Sequence, residues 1–400
     1  MEQWQKSFTT LLIAEFLAIV GFSTSNPIIP LYLRELGITN TAALNAWTGA
    51  INGFSALTMA IAAPIWGALA DNYGRRLMLL RAMGGGAVLM GLLALTTSPW
   101  QVLAIKMLQG MVTGTVSAAT VLTAVLVPQS QVGYYMGLLQ MAVFAGNSAG
   151  PLIGGVITDA AGARINFLCT SALLAIAAVL VYRRVVEPIV PKPRQSSIVR
   201  NAIPDFSVLK TAGALRRIFL VVFFIQMGNA LVGPIIPLVV LALQKTSSYA
   251  GSISGMLIGV TSVAAALGSV AIGKVSLRFG YERALRFSLG GAFLFYLPQG
   301  LCTTPWQLLI LRFASGFFIG GSMPTANALI ALNVKKERQG AVYGLSSSIA
   351  NAGAAAGPLI GAAMATLLGY QSVFFLSALL FGSVALSIRR KGLEVRKAPA

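Results

Sequence analysis

The chain has 400 residues, 56% of them hydrophobic and only 10% charged, against roughly 25% charged in an ordinary soluble domain. With a mean hydropathy of +0.79 it cannot clothe a water-soluble fold of this size in charge, so the sequence reads as an integral membrane protein. Lys and Arg number 29 against 10 Asp and Glu, and the absence of His excludes imidazole metal sites, Ser-His-Asp triads and histidine proton relays.

A bilayer core about 30 Å thick needs about 20 apolar residues per helix. Twelve runs reach that length: 9–33, 45–68, 77–97, 100–126, 135–157, 165–184, 216–242, 250–272, 284–302, 305–330, 342–366 and 371–389. The first follows a short polar start and no small-x-small cleavage site ends it, so it reads as a permanent span and not a cleaved signal. The runs are too long for strands and do not alternate, which excludes a β-barrel. Cys169 and Cys302 each lie in an apolar run and make neither a disulfide framework nor a CxxC site.

Most of the basic charge falls on one side of these spans. Lys6 precedes span 1; Arg75, Arg76 and Arg81 follow span 2; a run from Arg183 to Arg217 follows span 6. Lys274, Arg278, Arg283 and Arg286 follow span 8, Lys335, Lys336 and Arg338 follow span 10, and Arg389 to Lys397 form the tail. Arg34, Arg164 and Lys245 fall on the other side, while Lys106 and Arg312 lie within spans. The positive-inside rule then places both termini in the cytoplasm, and the expected location is the plasma membrane of a prokaryote. The basic excess is a topology signal, and no nucleic-acid partner is expected.

The longest break, about 185–215, carries Pro188, Pro191, Pro193 and Pro204. It divides the chain into an N-terminal six-helix bundle (1–184), a cytoplasmic linker (185–215) and a C-terminal six-helix bundle with a short cytoplasmic tail (216–400). The halves repeat one another. Pro27-Ile28-Ile29-Pro30-Leu31 recurs as Pro234-Ile235-Ile236-Pro237-Leu238, and Pro99-Trp100-Gln101 as Pro305-Trp306-Gln307. Gly110 and Gly114 recur as Gly316 and Gly320, and Gly150-Pro151-Leu152-Ile153-Gly154 as Gly357-Pro358-Leu359-Ile360-Gly361. An even number of spans per half gives both halves one orientation, related by an axis along the membrane normal. The expected fold is an all-α membrane protein, twelve transmembrane helices as two pseudo-symmetric six-helix bundles, an arrangement suited to alternating access.

Three motifs sharpen this. Gly67, Asp71, Gly74, Arg75 and Arg76 sit in the short turn between spans 2 and 3, where glycines permit a sharp turn and Asp71 can accept from arginines or helix N-terminal amides. This resembles the signature loop of the major facilitator superfamily. The second copy keeps Gly273 and Gly280 but has Leu277 in place of the acid. Gly146, Gly150, Pro151, Gly154 and Gly155 in span 5 make a groove for close helix packing, and within that superfamily the pattern is similar to the drug/proton antiporter signature. Lys106, Gln109 and Gly110 in span 4 resemble a third antiporter motif, in which the family usually has Arg at the first position; unlike Arg, a buried Lys can lose its proton. The resemblance covers nearly the whole chain. It implies the major facilitator fold and proton-coupled multidrug efflux by a monomer, with protons, a small-molecule substrate and the bilayer as partners and with no cofactor, metal or enzymatic activity.

Glu15 is the most informative single residue, the only one of the ten acids well inside an apolar run. A central charge costs roughly 2.5–3.5 kcal/mol on insertion scales, so an acid there calls for a functional explanation. Some drug/proton antiporters similarly carry a first-helix Glu ahead of a proline motif, which implies a proton-coupling role for Glu15, with Lys106 beside it. A direct pair is not expected. At 1.5 Å per residue the two sit about 9 Å in from opposite faces, about 12 Å apart in depth.

The pathway is expected to be lined by Asn26, Thr113, Gln140, Asn147, Gln226, Asn229, Asn327 and Asn351, with Phe22, Met141, Phe144 and Met227 able to re-pack around lipophilic cargo. The leading reading is proton-coupled efflux of lipophilic, often cationic compounds. The alternative keeps the fold and changes the cargo to a sugar, metabolite or lipid-linked substrate, with Lys106 and Arg312 receiving an anionic group. Gly268-x-x-x-x-Gly273-Lys274 mimics a phosphate loop, but Val275 stands where Ser or Thr should be and the segment ends a membrane helix, so nucleotide binding is not expected.

Overall fold

The computed structural model describes residues 2–128, 131–187, 213–244, 249–334 and 339–391. Its α-helices, in chain order, are α1 (Gln3–Ser25), α2 (Ile29–Glu35), α3 (Thr41–Tyr73), α4 (Arg75–Ala94), α5 (Pro99–Val112), α6 (Thr115–Leu126), α7 (Val132–Arg184), α8 (Gly213–Val232), α9 (Ile236–Gln244), α10 (Ala250–Phe279), α11 (Tyr281–Tyr296), α12 (Pro305–Gly320), α13 (Ser322–Leu332), α14 (Gln339–Leu368) and α15 (Tyr370–Lys391). There is no strand among the described residues.

Nine helical stretches among the described residues are long and apolar enough to cross a membrane. One lies in α7, whose backbone turns at Gly162 (φ 85), so that it holds two spans. The 33-residue α3 and α11 with its 3-10 continuation Leu297–Leu301 supply two more. The twelve-span architecture read from the sequence is present. The linker expected over 185–215 falls largely outside the described residues, as do Lys335, Lys336, Arg338, Arg396 and Lys397.

The repeated sequence segments build repeated local structure. Pro27 and Pro234 each interrupt a long helix with one turn of 3-10 helix, Asn26–Ile28 and Gly233–Ile235, because proline lacks the amide that the α-helical ladder requires. The two Pro-Trp-Gln segments are helix starts. Gln101 N donates to Ser98 Oγ at 3.5 Å while Gln101 Oε1 accepts from Ser98 N at 3.3 Å. Gln307 repeats this with Thr304 at 3.4 and 3.3 Å. Each is a capping box with proline at the first helical position. Gly74 (φ 94) and Gly280 (φ 89) make the matching turns into α4 and α11, a backbone conformation that carries a steric cost for any residue with a Cβ.

The chain separates into two compact units. One comprises Met1–Thr39, Phe54–Ile203 and Ser248–Gly259; the other comprises Asn40–Gly53, Pro204–Ser247 and Val260–Ala400. In the first unit, α7 lies directly on α1. A Cβ at Gly146 would sit 2.8 Å from Ile19 Cγ2, at Gly150 2.5 Å from Ser23 Cβ, and at Gly154 2.5 Å from Thr24 O. In the second unit α14 lies on α8 in the same way, with Gly353, Gly357 and Gly361 meeting Phe223 O, Ala230 Cβ and Leu231 O at 2.4, 2.6 and 2.6 Å. Small residues every fourth position thus let backbones touch where lipid offers no hydrophobic drive for association.

A further seam recurs inside each unit. In the first, a Cβ added at Gly255 or Gly251, at the start of α10, would lie 2.0 Å from Pro151 O or 2.9 Å from Gly155 O of α7. In the second, a Cβ added at Gly49 or Gly53 of α3 would lie 2.8 Å from Pro358 O or 3.1 Å from Ala355 O of α14. Span 5 therefore packs tightly on both of its edges. Large apolar side chains face outward, Trp100, Ile310 and Leu367 among them, as a lipid-facing surface requires.

Candidate substrate and coupling site

Glu15 lies in the middle of α1 on the face that also buries Leu11, Ala14 and Ala18. It is 0% exposed, and neither carboxyl oxygen has a hydrogen-bond partner. The Thr115 hydroxyl at the start of α6, which packs on α1, lies near it without closing a hydrogen bond of normal geometry. An uncompensated charge in such a place costs several kcal/mol. The carboxyl is therefore accommodated as the neutral acid, or as the anion only where a cation or hydrogen-bond donors meet it.

Lys106, on α5, is 4% exposed. Its Nζ donates to Asn26 Oδ1 at 3.3 Å, at the 3-10 break that ends α1. Glu15 and Lys106 are thus held apart, as their depths predict. In the second unit Arg312 is 6% exposed and donates through Nη1 to Tyr296 Oη at 3.4 Å. Buried acid and buried bases have separate neighbours.

The other candidates fall into two groups, one in each unit. In the first, Asn147 Oδ1 accepts from Ser23 Oγ at 2.8 Å, Thr113 Oγ1 donates to Gln109 O at 2.8 Å, and the Gln109 side-chain oxygen is buried without a partner. Phe22 lies over Gly86; Phe144 is half-buried, while Gln140 and Met141 are exposed. In the second, Gln226, Asn229, Asn327 and Asn351 are half-buried and Met227 is buried. Gly110 packs where a Cβ would meet Ser55 O at 2.2 Å, so its place in the span 4 motif is a close approach to α3.

The turn between α3 and α4 holds an acid that the sequence reading passed over. Glu187, just past α7, accepts from the backbone amides of Arg75 and Arg76 at 3.0 and 2.9 Å, and Arg76 Nη2 donates to Tyr182 O. The carboxylate caps the N-terminus of α4 and meets its positive dipole. This is the task the sequence suggested for Asp71; Gly67 and Asp71 lie outside the residues whose surroundings the structure describes. Glu187→Ala is expected to lower stability by about 1–2 kcal/mol, read as an earlier thermal transition of the purified protein, with Glu187→Asp retaining part of the cap.

At the far end of span 5, Asp159 accepts from the amides of Gly251 and Ser252 at 3.0 and 2.7 Å. It caps α10 where the glycine seam begins. Cys169 and Cys302 are both half-exposed and free.

These features recur in known proteins. The description of the Major Facilitator Superfamily matches residues 11–225 and again 218–399. The chain belongs to the major facilitator superfamily. Among its curated relatives are the multidrug resistance proteins MdtG of Enterobacter lignolyticus, 34% identical over 393 residues with 97% of this chain and 94% of the relative covered, and of Salmonella paratyphi B, 33% identical over 397 residues with 98% of each covered. Solved structures share the fold at low identity. The nucleoside transporter NupG superposes with a TM-score of 0.78 at 13% identity, covering 97% of this chain and 98% of that one. A bacterial homologue of the human lysosomal transporter Spinster, inward-facing and unoccupied, gives 0.79 at 12% identity with both chains fully covered. This major facilitator protein is accordingly a multi-pass membrane transporter and not an enzyme. Its two matches to one family description coincide with the repeat seen in sequence and in helix caps.

Proposed function

We propose that this transporter exports lipophilic, often cationic compounds in exchange for protons, by alternating access and as a monomer, with both termini in the cytoplasm of a prokaryote. The single observation that carries the reading is Glu15: a carboxyl with no exposure and no partner, inside a span. Its place is served by a proton or by a cationic cargo, and each weakens the binding of the other. Two ligands that compete for one site while the protein alternates between faces give exchange, by linkage. The proton released on cargo binding leaves to water on the side then open. Relatives named multidrug resistance proteins support the choice of cargo, and the close-packed glycine stripes support helices that slide or rock as rigid bodies.

The test uses purified protein in proteoliposomes with an imposed pH gradient and a lipophilic cation. Gradient-driven accumulation and proton release on adding the cation are the expected results. Transport indifferent to the gradient, with no proton release, overturns the coupling. A second reading, an anionic amphiphile as cargo, is favoured by Lys106 and Arg312, both buried with neutral hydrogen-bond acceptors. It predicts that anionic and not cationic amphiphiles are moved in the same assay.

A further inference from the structure

Span 4 is one helix in the sequence and two in the structure. After α5, Thr113 is extended (φ −82, ψ −178), and Gly114 (φ 131, ψ 42) turns the chain into α6. A positive φ of this kind is open to glycine and strained for other residues. The break frees the Met111 carbonyl, which accepts from Trp66 Nε1 at 2.5 Å. It also leaves the first amides of the 12-residue α6 without helical acceptors, and sets Thr115, 4% exposed, at its first position. Glu15, with both oxygens unpartnered, lies near Thr115 where α1 packs on α6.

The second half serves as an internal control. In the register that pairs Pro27 with Pro234, Glu15 corresponds to Val222, which is 0% exposed. In the register that pairs Gly114 with Gly320, Thr115 corresponds to Gly321, which keeps right-handed helical angles (φ −81, ψ −14), so α12 passes into α13 without the positive φ found at Gly114. Acid, hydroxyl and break occur together in one half and are missing together from the other. Close packing alone does not explain the difference. A Cβ added at Gly316 or Gly320 would lie 2.6 Å from Thr261 O or 1.9 Å from Ala265 O, as tight as the 2.2 Å that a Cβ at Gly110 would leave to Ser55 O.

We infer that the break in span 4 belongs to the Glu15 site: Thr115 and the first amides of α6 receive the ionised carboxylate, which makes Thr115 a positioning residue for proton exchange. The inference rests on the reading of Glu15 as the exchanging group. Neutral donors at the positive end of a helix hold an anion without the fixed counter-charge of a lysine or arginine, which would bar a cationic cargo. No other ionisable side chain lies on α6. On α7, which also packs on α1, Tyr135 meets Phe8 with ring centroids 4.7 Å apart, about 10 Å along the helix from Glu15. Cys169 is half-exposed, Asp159 caps α10, and Arg164 donates to Thr96 O. Lys106 is engaged by Asn26.

The experiment follows efflux of tetraphenylphosphonium from proteoliposomes over a range of pH, for the wild type and for Thr115→Val, Thr115→Ala, Thr115→Ser and Glu15→Gln, with thermal stability checked for each. The expected result is a midpoint displaced by about half a pH unit or more in Thr115→Val and Thr115→Ala, restored in Thr115→Ser. A wild-type midpoint in Thr115→Val, or in Thr115→Ala should the valine variant not fold, overturns the inference; loss of pH dependence in Glu15→Gln alongside it leaves the reading of Glu15 standing. PH dependence that survives Glu15→Gln overturns both.

Discussion

Glu15→Gln is expected to yield a folded protein that still binds lipophilic cargo but no longer converts a pH gradient into efflux. Glutamine keeps the size and planarity of the side chain, so the packing of Leu11, Ala14 and Ala18 around it is retained. What it removes is the exchangeable proton. Since neither carboxyl oxygen has a hydrogen bond to lose, the substitution does not dismantle a network, and the thermal transition should stay near that of the wild type. Coupling free energies between ligands run at about 1–3 kcal/mol, a factor of about 5–150, and the gradient-driven rate should fall by a factor in that range. Cargo-induced proton release, measured with a pH dye in weak buffer, should vanish. Release that persists in the variant removes Glu15 from the mechanism.

Gly154→Val should have the largest effect on folding. A Cβ at that position would lie 2.5 Å from Thr24 O and 2.7 Å from Thr24 Cα, which are backbone atoms of a packed helix and cannot swing aside. Valine adds two methyl groups beyond that Cβ. Overpacking of this kind costs about 3 kcal/mol or more, so the variant should accumulate poorly and melt early in detergent. Gly84→Ala is the control, since no atom lies within 4 Å of the added Cβ and alanine favours the helix. Equal stability of the two variants would mean that α1 and α7 do not pack as closely as described.

The fold was legible because membranes allow few solutions: length and apolarity count the spans, and the repeated Pro-Trp-Gln and Gly-Pro segments betray the duplication before any coordinate is seen. Glu15 was legible for a related reason, since an acid in an apolar run is costly wherever it points. Thr115 was not, because a threonine in a span is ordinary and the role inferred for it depends on an acid on another helix. The break at Gly114 left only a weak trace, as the same glycine recurs at 320, the last residue of α12, where the next residue keeps right-handed helical angles; what differs is its surroundings. Glu187 looked like one more charge beside a proline-rich segment. The seam at the start of α10 had a readable signal in the four-residue spacing of Gly251, Gly255 and Gly259, which matches the stripe in span 5.

The cap on α4 has a consequence for the birth of the protein. The amides of Arg75 and Arg76 wait for a carboxylate more than a hundred positions downstream, which at about 5–20 residues per second reaches them some 5–20 seconds later. Until the ribosome has delivered the sixth hydrophobic stretch, the early turn has an open end facing water. Biogenesis of the leading half therefore closes as a ring, its last-made residue fastening one of its first corners, and a nascent chain cut short before Glu187 should expose that corner to proteases that spare the longer one.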